Sequence, residues 1–220
     1  MTVRRNLHRS LLGVALRGFA LLADTGLILA DARPADARPA LAQDAAANKY
    51  IGAKKCKSCH SKEDVGHQYG AWENGPHAKA FETLASPEAL AVAKERGIAD
   101  PQKDGTCMKC HSTAYGVAED QIARGFKTDM GVQCESCHGP GEAHMKARFA
   151  AAAAGGDAAA DIPDGEIIND PPMATCLACH NEESPSFKSF CYYKRVEEVR
   201  HLRPDRSAEE LAAMLVDHAH

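Results

Sequence analysis

Aromatic side chains are scarce in these 220 residues, at 5% of the chain with a single Trp. That scarcity excludes the well-filled, protein-only core that a domain of this length usually builds. No clear alternation of apolar and polar residues appears, which argues against a sheet-based fold. No apolar run is long and clean enough for a stable membrane-spanning helix. The best stretch, Leu11 to Ala30, is interrupted by Arg17 and Asp24. Basic excess is missing as well. The formal charge is −4, and residues 1–42 carry six Lys/Arg against three Asp/Glu, which leaves −7 from residue 43 onward. Such a surface speaks against nucleic acid as a partner. It favours a protein partner with a basic docking patch, through steering of encounter.

Cysteine is abundant by contrast. Eight of the nine cysteines fall in four copies of Cys-x-x-Cys-His: Cys56/Cys59/His60, Cys107/Cys110/His111, Cys134/Cys137/His138 and Cys176/Cys179/His180. Each copy reads as a covalent attachment site for c-type haem. Two thiols must reach the two vinyl groups of one porphyrin, and an imidazole must approach the iron from the same side. Residues three and four apart share one face of a helical turn, so this spacing can meet both demands. The rival is structural zinc, which also uses paired Cys-x-x-Cys but does not require a His directly after the second Cys. His is 11 of 220 residues, so chance would place one after all four pairs only about once in 10⁵. Four porphyrins would supply the apolar bulk that the protein lacks, and a haem-free chain should fold poorly.

The first 42 residues read as an export signal. Arg4, Arg5, His8 and Arg9 form a basic start, the Leu11–Ala30 stretch follows, and Ala40-Leu41-Ala42 has the small-x-small form of a cleavage site. Arg4-Arg5 is a faint twin-arginine feature, but the general secretory route fits better, because c-type haem is attached after an unfolded chain has been translocated. Residues 43–49 read as a flexible leader, and 50–220 as one domain. The expected location is the periplasm, with cleavage after Ala42. The first cysteines of successive motifs lie 51, 27 and 42 residues apart, so the motifs are not a regular repeat array.

Helix signals are short. Ser86 caps a predicted helix that starts at Pro87 and stops before Gly97. Glu142 to Ala154 reads as helix, passing into an Ala-rich, Gly-broken surface excursion. Tyr192, Val196 and Val199 lie at helical spacing before His201. Ser207 and Glu210 form a capping box ahead of Leu211, Met214 and Leu215. The expected fold is mainly α: short helices and irregular loops wrapped around haems. Cys191, outside the motifs, reads as a small, partly buried residue.

The second ligand of each iron decides what that haem can do. Two His ligands suit electron transfer, and an empty sixth position admits a small molecule. Outside the motifs and the export segment, the histidines are His67, His77, His144, His201, His218 and His220. Gly139-Pro140-Gly141 can turn His144 away from its neighbouring motif and towards another. Met108, Met130, Met145 and Met173 are further axial candidates, more naturally read as packing.

Four stretches make the chain similar to the tetrahaem cytochromes of the cytochrome c-554 family. They are Cys56-Lys-Ser-Cys59-His60; Trp72 to His77-Ala-Lys-Ala; Gly131-Val-Gln-Cys134-Glu-Ser-Cys137-His138-Gly-Pro-Gly141; and the last motif with its downstream His. Together they span about residues 50 to 201. The resemblance implies four covalent haems c in stacked pairs, three with two His ligands and one, the second in sequence, with an open position. It implies His144 as distal ligand of the first haem, and His77 and His201 as distal ligands of the third and fourth, in an order it leaves open. The His111 haem would have no sixth ligand from the protein. Two features depart from the family. The His60–His77 loop is longer and holds His67, and the tail adds His218 and His220; any of the three is a candidate for the open position. The acidic chain also lacks the Lys-rich tail of the ammonia-oxidiser member, so that member's hydroxylamine-oxidising partner is not carried over.

The expected function is therefore an exported electron carrier serving redox partners. The alternatives are reduction of a nitrogen oxide such as nitric oxide at the His111 haem, and an electron-transfer subunit of a larger respiratory complex.

Overall fold

The computed structural model describes residues 48–156, 162–163 and 165–201. The export segment, residues 43–47 of the leader, the Ser207/Glu210 capping box, His218 and His220 lie outside them. Among the described residues the fold is mainly helical. No strand occurs, and the one isolated bridge is the parallel contact between Tyr50 and Ile122. The α-helices are α1 (Ala53–His60), α2 (Gln68–Asn74), α3 (Ala80–Thr83), α4 (Pro87–Glu95), α5 (Gly105–His111), α6 (Cys134–His138), α7 (Glu142–Ala153), α8 (Met173–Leu177) and α9 (Tyr192–Val199), with single 3₁₀ turns between some of them.

The local chemistry explains several boundaries. Pro87 opens α4, and the Ser86 hydroxyl accepts the Ala89 N–H at 3.1 Å, as a capping serine should. α7 and α9 occupy stretches that the sequence reads as helix, α9 on its periodicity. α2 and α3 carry no such signal. α2 follows His67, whose backbone is left-handed at φ 50 and whose side chain makes no cap. The fourth motif departs from the single-helix expectation. α8 ends at Leu177, and Cys179 and His180 lie in the following turn. The His180 N–H still reaches the Cys176 carbonyl at 2.9 Å, so the cysteine-to-histidine turn survives.

The apolar core is thin, as the composition predicts. Among the described residues it consists of Ile51, Ala53, Tyr69, Ala80, Leu84, Ala93 and Met108. Three of these seven are alanine, and a methyl group buries little area. A polar clamp holds the motifs together instead. Glu135, 2% exposed, takes the N–H groups of Ile51 (2.8 Å), Gly52 (2.7 Å) and Gly141 (2.8 Å). Its neighbour Gln133 accepts from the Ala53 N–H at 2.8 Å and donates to the Lys127 carbonyl at 2.8 Å. Thr113 Oγ1 accepts the Gln133 N–H at 2.6 Å and pairs with the Ser136 hydroxyl at 2.6 Å. The third motif is thereby tied to the chain entering α1 and to the residues just after the second motif. Buried polar groups are stable only when satisfied in this way.

Gly131 completes the clamp. Its φ is +71, and an added Cβ would lie 2.5 Å from the His77 carbonyl oxygen. That close approach allows the Val132 N–H to donate to the same carbonyl at 2.9 Å, while the Trp72 indole donates to the Val132 carbonyl at 2.7 Å. The segment bearing His77 is therefore anchored to the strand of chain that leads into the third motif.

Candidate functional site

Each motif presents its histidine from a short helix or turn, and most of the rings are held by their Nδ1 atom. His60 Nδ1 meets Gln68 Oε1 at 3.3 Å, His111 Nδ1 the Ala80 carbonyl at 2.6 Å, and His138 Nδ1 the Ile168 carbonyl at 2.6 Å. Outside the motifs, His144 Nδ1 meets Glu166 Oε1 at 2.7 Å and His201 Nδ1 the Val199 carbonyl at 3.1 Å. All five partners are acceptors only. Each Nδ1 must therefore carry the proton and donate it, which leaves the Nε2 lone pair free for a metal. His180 is held differently: its ring lies parallel to Phe190, with centroids 4.5 Å apart and an interplanar angle of 17°. Burial pushes His60, His77, His138 and His180 below the usual imidazole value, which favours the neutral form that ligates.

The rings meet in pairs. His60 faces His144 with centroids 6.1 Å apart, His180 faces His77 at 6.1 Å, and His138 faces His201 at 5.8 Å. Each pair joins a motif histidine to one remote in sequence. A metal–nitrogen bond of about 2 Å on each side, plus about 1.1 Å from each nitrogen to its ring centre, puts two rings on one metal roughly 6.2 Å apart. The three observed separations fit that requirement. The pairing also separates His77 from His201, which sequence alone leaves interchangeable: His77 sits by the fourth motif and His201 by the third.

No ring pair involving His111 occurs among the described residues. The described contacts of His67 are local: Nδ1 lies 2.9 Å from the Ser61 carbonyl and 3.3 Å from Glu63, and the ring covers Gly70. His218 and His220 lie outside the described residues.

The cysteines make a second pattern. The Cys56 thiol lies beside that of Cys134, and the Cys110 thiol beside that of Cys179. Cys137 and Cys176 are close enough to interact electrostatically. The first motif thus adjoins the third, the third adjoins the fourth, and the fourth adjoins the second. Large apolar side chains stand exposed beside these positions: Met173 and Leu177 flank Cys176, Tyr115 follows the second motif, and the exposed Ile168 carries the carbonyl that holds His138. Exposed apolar surface gathered around thiols and imidazoles suits porphyrins that would cover it. Met108 is core, and Cys191 is half-buried with a free thiol.

Several residues of this arrangement carry no sequence signal. Glu135 and Ser136 are the two variable positions of the third motif. Gln68, Glu166 and Phe190 sit in stretches without periodicity. Their roles depend on which remote segment arrives beside them.

Residues 55–139 match a family model described as cytochrome c554 and c-prime. The match contains the first three motifs, and the fourth lies beyond it. Cytochrome c-554 of Nitrosomonas europaea is 39% identical over 102 residues, covering 44% of this chain and 41% of that protein. The chain therefore spans about two fifths of the length of the curated relative it matches. No solved structure matches significantly.

Proposed function

We propose that this chain, which belongs to the cytochrome c-554 family, passes electrons between redox partners through four covalently bound haems. Electron transfer by haem c is the family's general character. The number of haems, their ligands and the route are the present reading. Haem supplies a one-electron iron couple and a delocalised ring that extends the reach of electron hopping.

In this reading the motif cysteines form the thioethers, and His60, His111, His138 and His180 are the proximal ligands. His144 closes the first site, His201 the third and His77 the fourth. The observation that carries the reading is the set of three facing ring pairs, each at a separation suited to one metal. The cysteine neighbours support a linear order of first, third, fourth and second, with the first and third and the second and fourth as stacked pairs. The chain's own residues fix ring orientation through the Nδ1 donors and hold the motifs together through the Glu135 clamp.

Residues 1–42 serve as an export signal cleaved after Ala42, which places the mature protein in the periplasm. No described helix is long and apolar enough to cross a membrane. The negative charge beyond residue 42 favours a redox partner with a basic docking surface. Replacing His144 with Ala should turn one haem from low to high spin while four covalent haems remain. An unchanged low-spin spectrum removes His144 from the ligand set.

A second reading rests on His111, which no described ring faces. An open position there would admit a small nitrogen oxide such as nitric oxide, with electrons delivered through the other three sites. Binding of CO by the reduced protein tests it. A protein whose haems are all low-spin and bind neither CO nor NO is a carrier alone.

A further inference from the structure

His144 and Arg148 are four residues apart on α7 and project from one face of it. Both reach Glu166. The carboxylate takes the His144 Nδ1–H on Oε1 at 2.7 Å and an Arg148 Nη2–H on Oε2 at 2.7 Å. The three side chains are only 14%, 16% and 10% exposed for His144, Arg148 and Glu166, so this is a sheltered triad and not a screened surface pair. His60, His111, His138 and His201 meet neutral oxygens at the same ring atom. His144 therefore stands apart from them in donating to a carboxylate.

That difference has an electronic consequence. A carboxylate drawing on the Nδ1–H makes the imidazole a stronger donor at Nε2. A stronger donor favours the more highly charged oxidised iron. Arg148 works in the opposite direction, because it draws charge away from the carboxylate that polarises the ring. We propose that Glu166 is a positioning and tuning residue that lowers the reduction potential of the first haem through His144, and that Arg148 moderates it. The inference rests on the reading that His144 ligates the haem of Cys56 and Cys59. The couple takes up one electron, and the Nδ1 proton stays on His144 throughout.

The test uses the full chain carrying its haems, with Glu166→Gln, Arg148→Gln and His144→Ala variants followed by potentiometric titration and low-temperature EPR. Gln keeps an oxygen for the His144 N–H but removes the charge. Glu166→Gln should weaken the preference of His144 for oxidised over reduced iron about tenfold, which equals about 59 mV upward in a one-electron couple. The shift should be confined to one haem, which stays low-spin with altered g-values. Arg148→Gln should move the same haem downward. A purely structural triad would change stability and leave both midpoints and g-values where they were, and that result overturns the proposal. A shift of the same sign in both variants overturns it too. The His144→Ala variant separates the two layers. If it produces no high-spin haem, the ligand reading fails and the proposal falls with it. If it does produce one and the midpoints of the other two variants do not move, only the role of Glu166 is lost.

Discussion

Replacing Glu135 with Gln puts an amide nitrogen where a carboxylate oxygen now accepts a buried N–H. In the native arrangement Oε1 serves Ile51 and Gly141, both at 2.8 Å, and Oε2 serves Gly52 at 2.7 Å. The Gln oxygen can keep the first two bonds in a neutral, weaker form. Its NH₂ then faces the Gly52 N–H, donor against donor. A buried donor left unsatisfied costs about 1–3 kcal/mol, and two bonds losing their charge assistance cost about 1 kcal/mol each. Burial pushes the Glu135 carboxyl up from its usual range, while the three backbone donors pull the other way. Removing the charge therefore recovers some desolvation cost, and a net loss of about 3 kcal/mol is expected. In a domain of this size that is a fall of about 6–12 °C in melting temperature. Far-UV circular dichroism of parent and variant, matched for haem content at pH 7, measures it. A melting temperature within about 2 °C of the parent would show that the clamp does not carry the fold.

Gly131→Ala should cost at least about 2 kcal/mol, because the added Cβ meets the His77 carbonyl at 2.5 Å from a left-handed backbone. It should also disturb the haem proposed to be held by His77, and an unperturbed spectrum and melting curve would contradict that link. Ser86→Ala removes the hydroxyl that accepts the Ala89 N–H. It should cost about 1 kcal/mol by chemical denaturation and leave the haem spectra unchanged, since α4 carries none of the proposed ligands.

The motifs are legible in the sequence because their chemistry is local. Two thioethers and one imidazole bond of a c-type haem would be made within five consecutive residues, so spacing alone carries the signal. α4 and α9 are legible for a related reason: a cap and a proline mark the first and a helical period the second. The partner of each motif histidine is another matter. His201 comes after the fourth motif in the chain, yet its ring lies by His138 of the third, and His77 precedes three motifs to meet His180 of the last. Those pairings depend on the turn at Gly139–Gly141, the close approach at Gly131 and the Glu135 clamp, none of which has a periodic signature. α2 was illegible because neither its start nor its face follows a helical rule; His67 enters it in a left-handed conformation. The partners of His144 carry no sequence signal for the same reason: Glu166 meets His144 and Arg148 only when α7 brings them to it.

Four covalent haems, three of them closed by the facing ring pairs, are the central proposal, and one set of spectra on the purified protein tests it. A haem-to-protein ratio determined as the pyridine haemochrome, together with ferric EPR, should give four haems per chain, at least three of them low-spin with two His ligands; a high-spin fourth is the outcome of an open His111 position. A ratio well below four, or fewer than three low-spin haems, would contradict it.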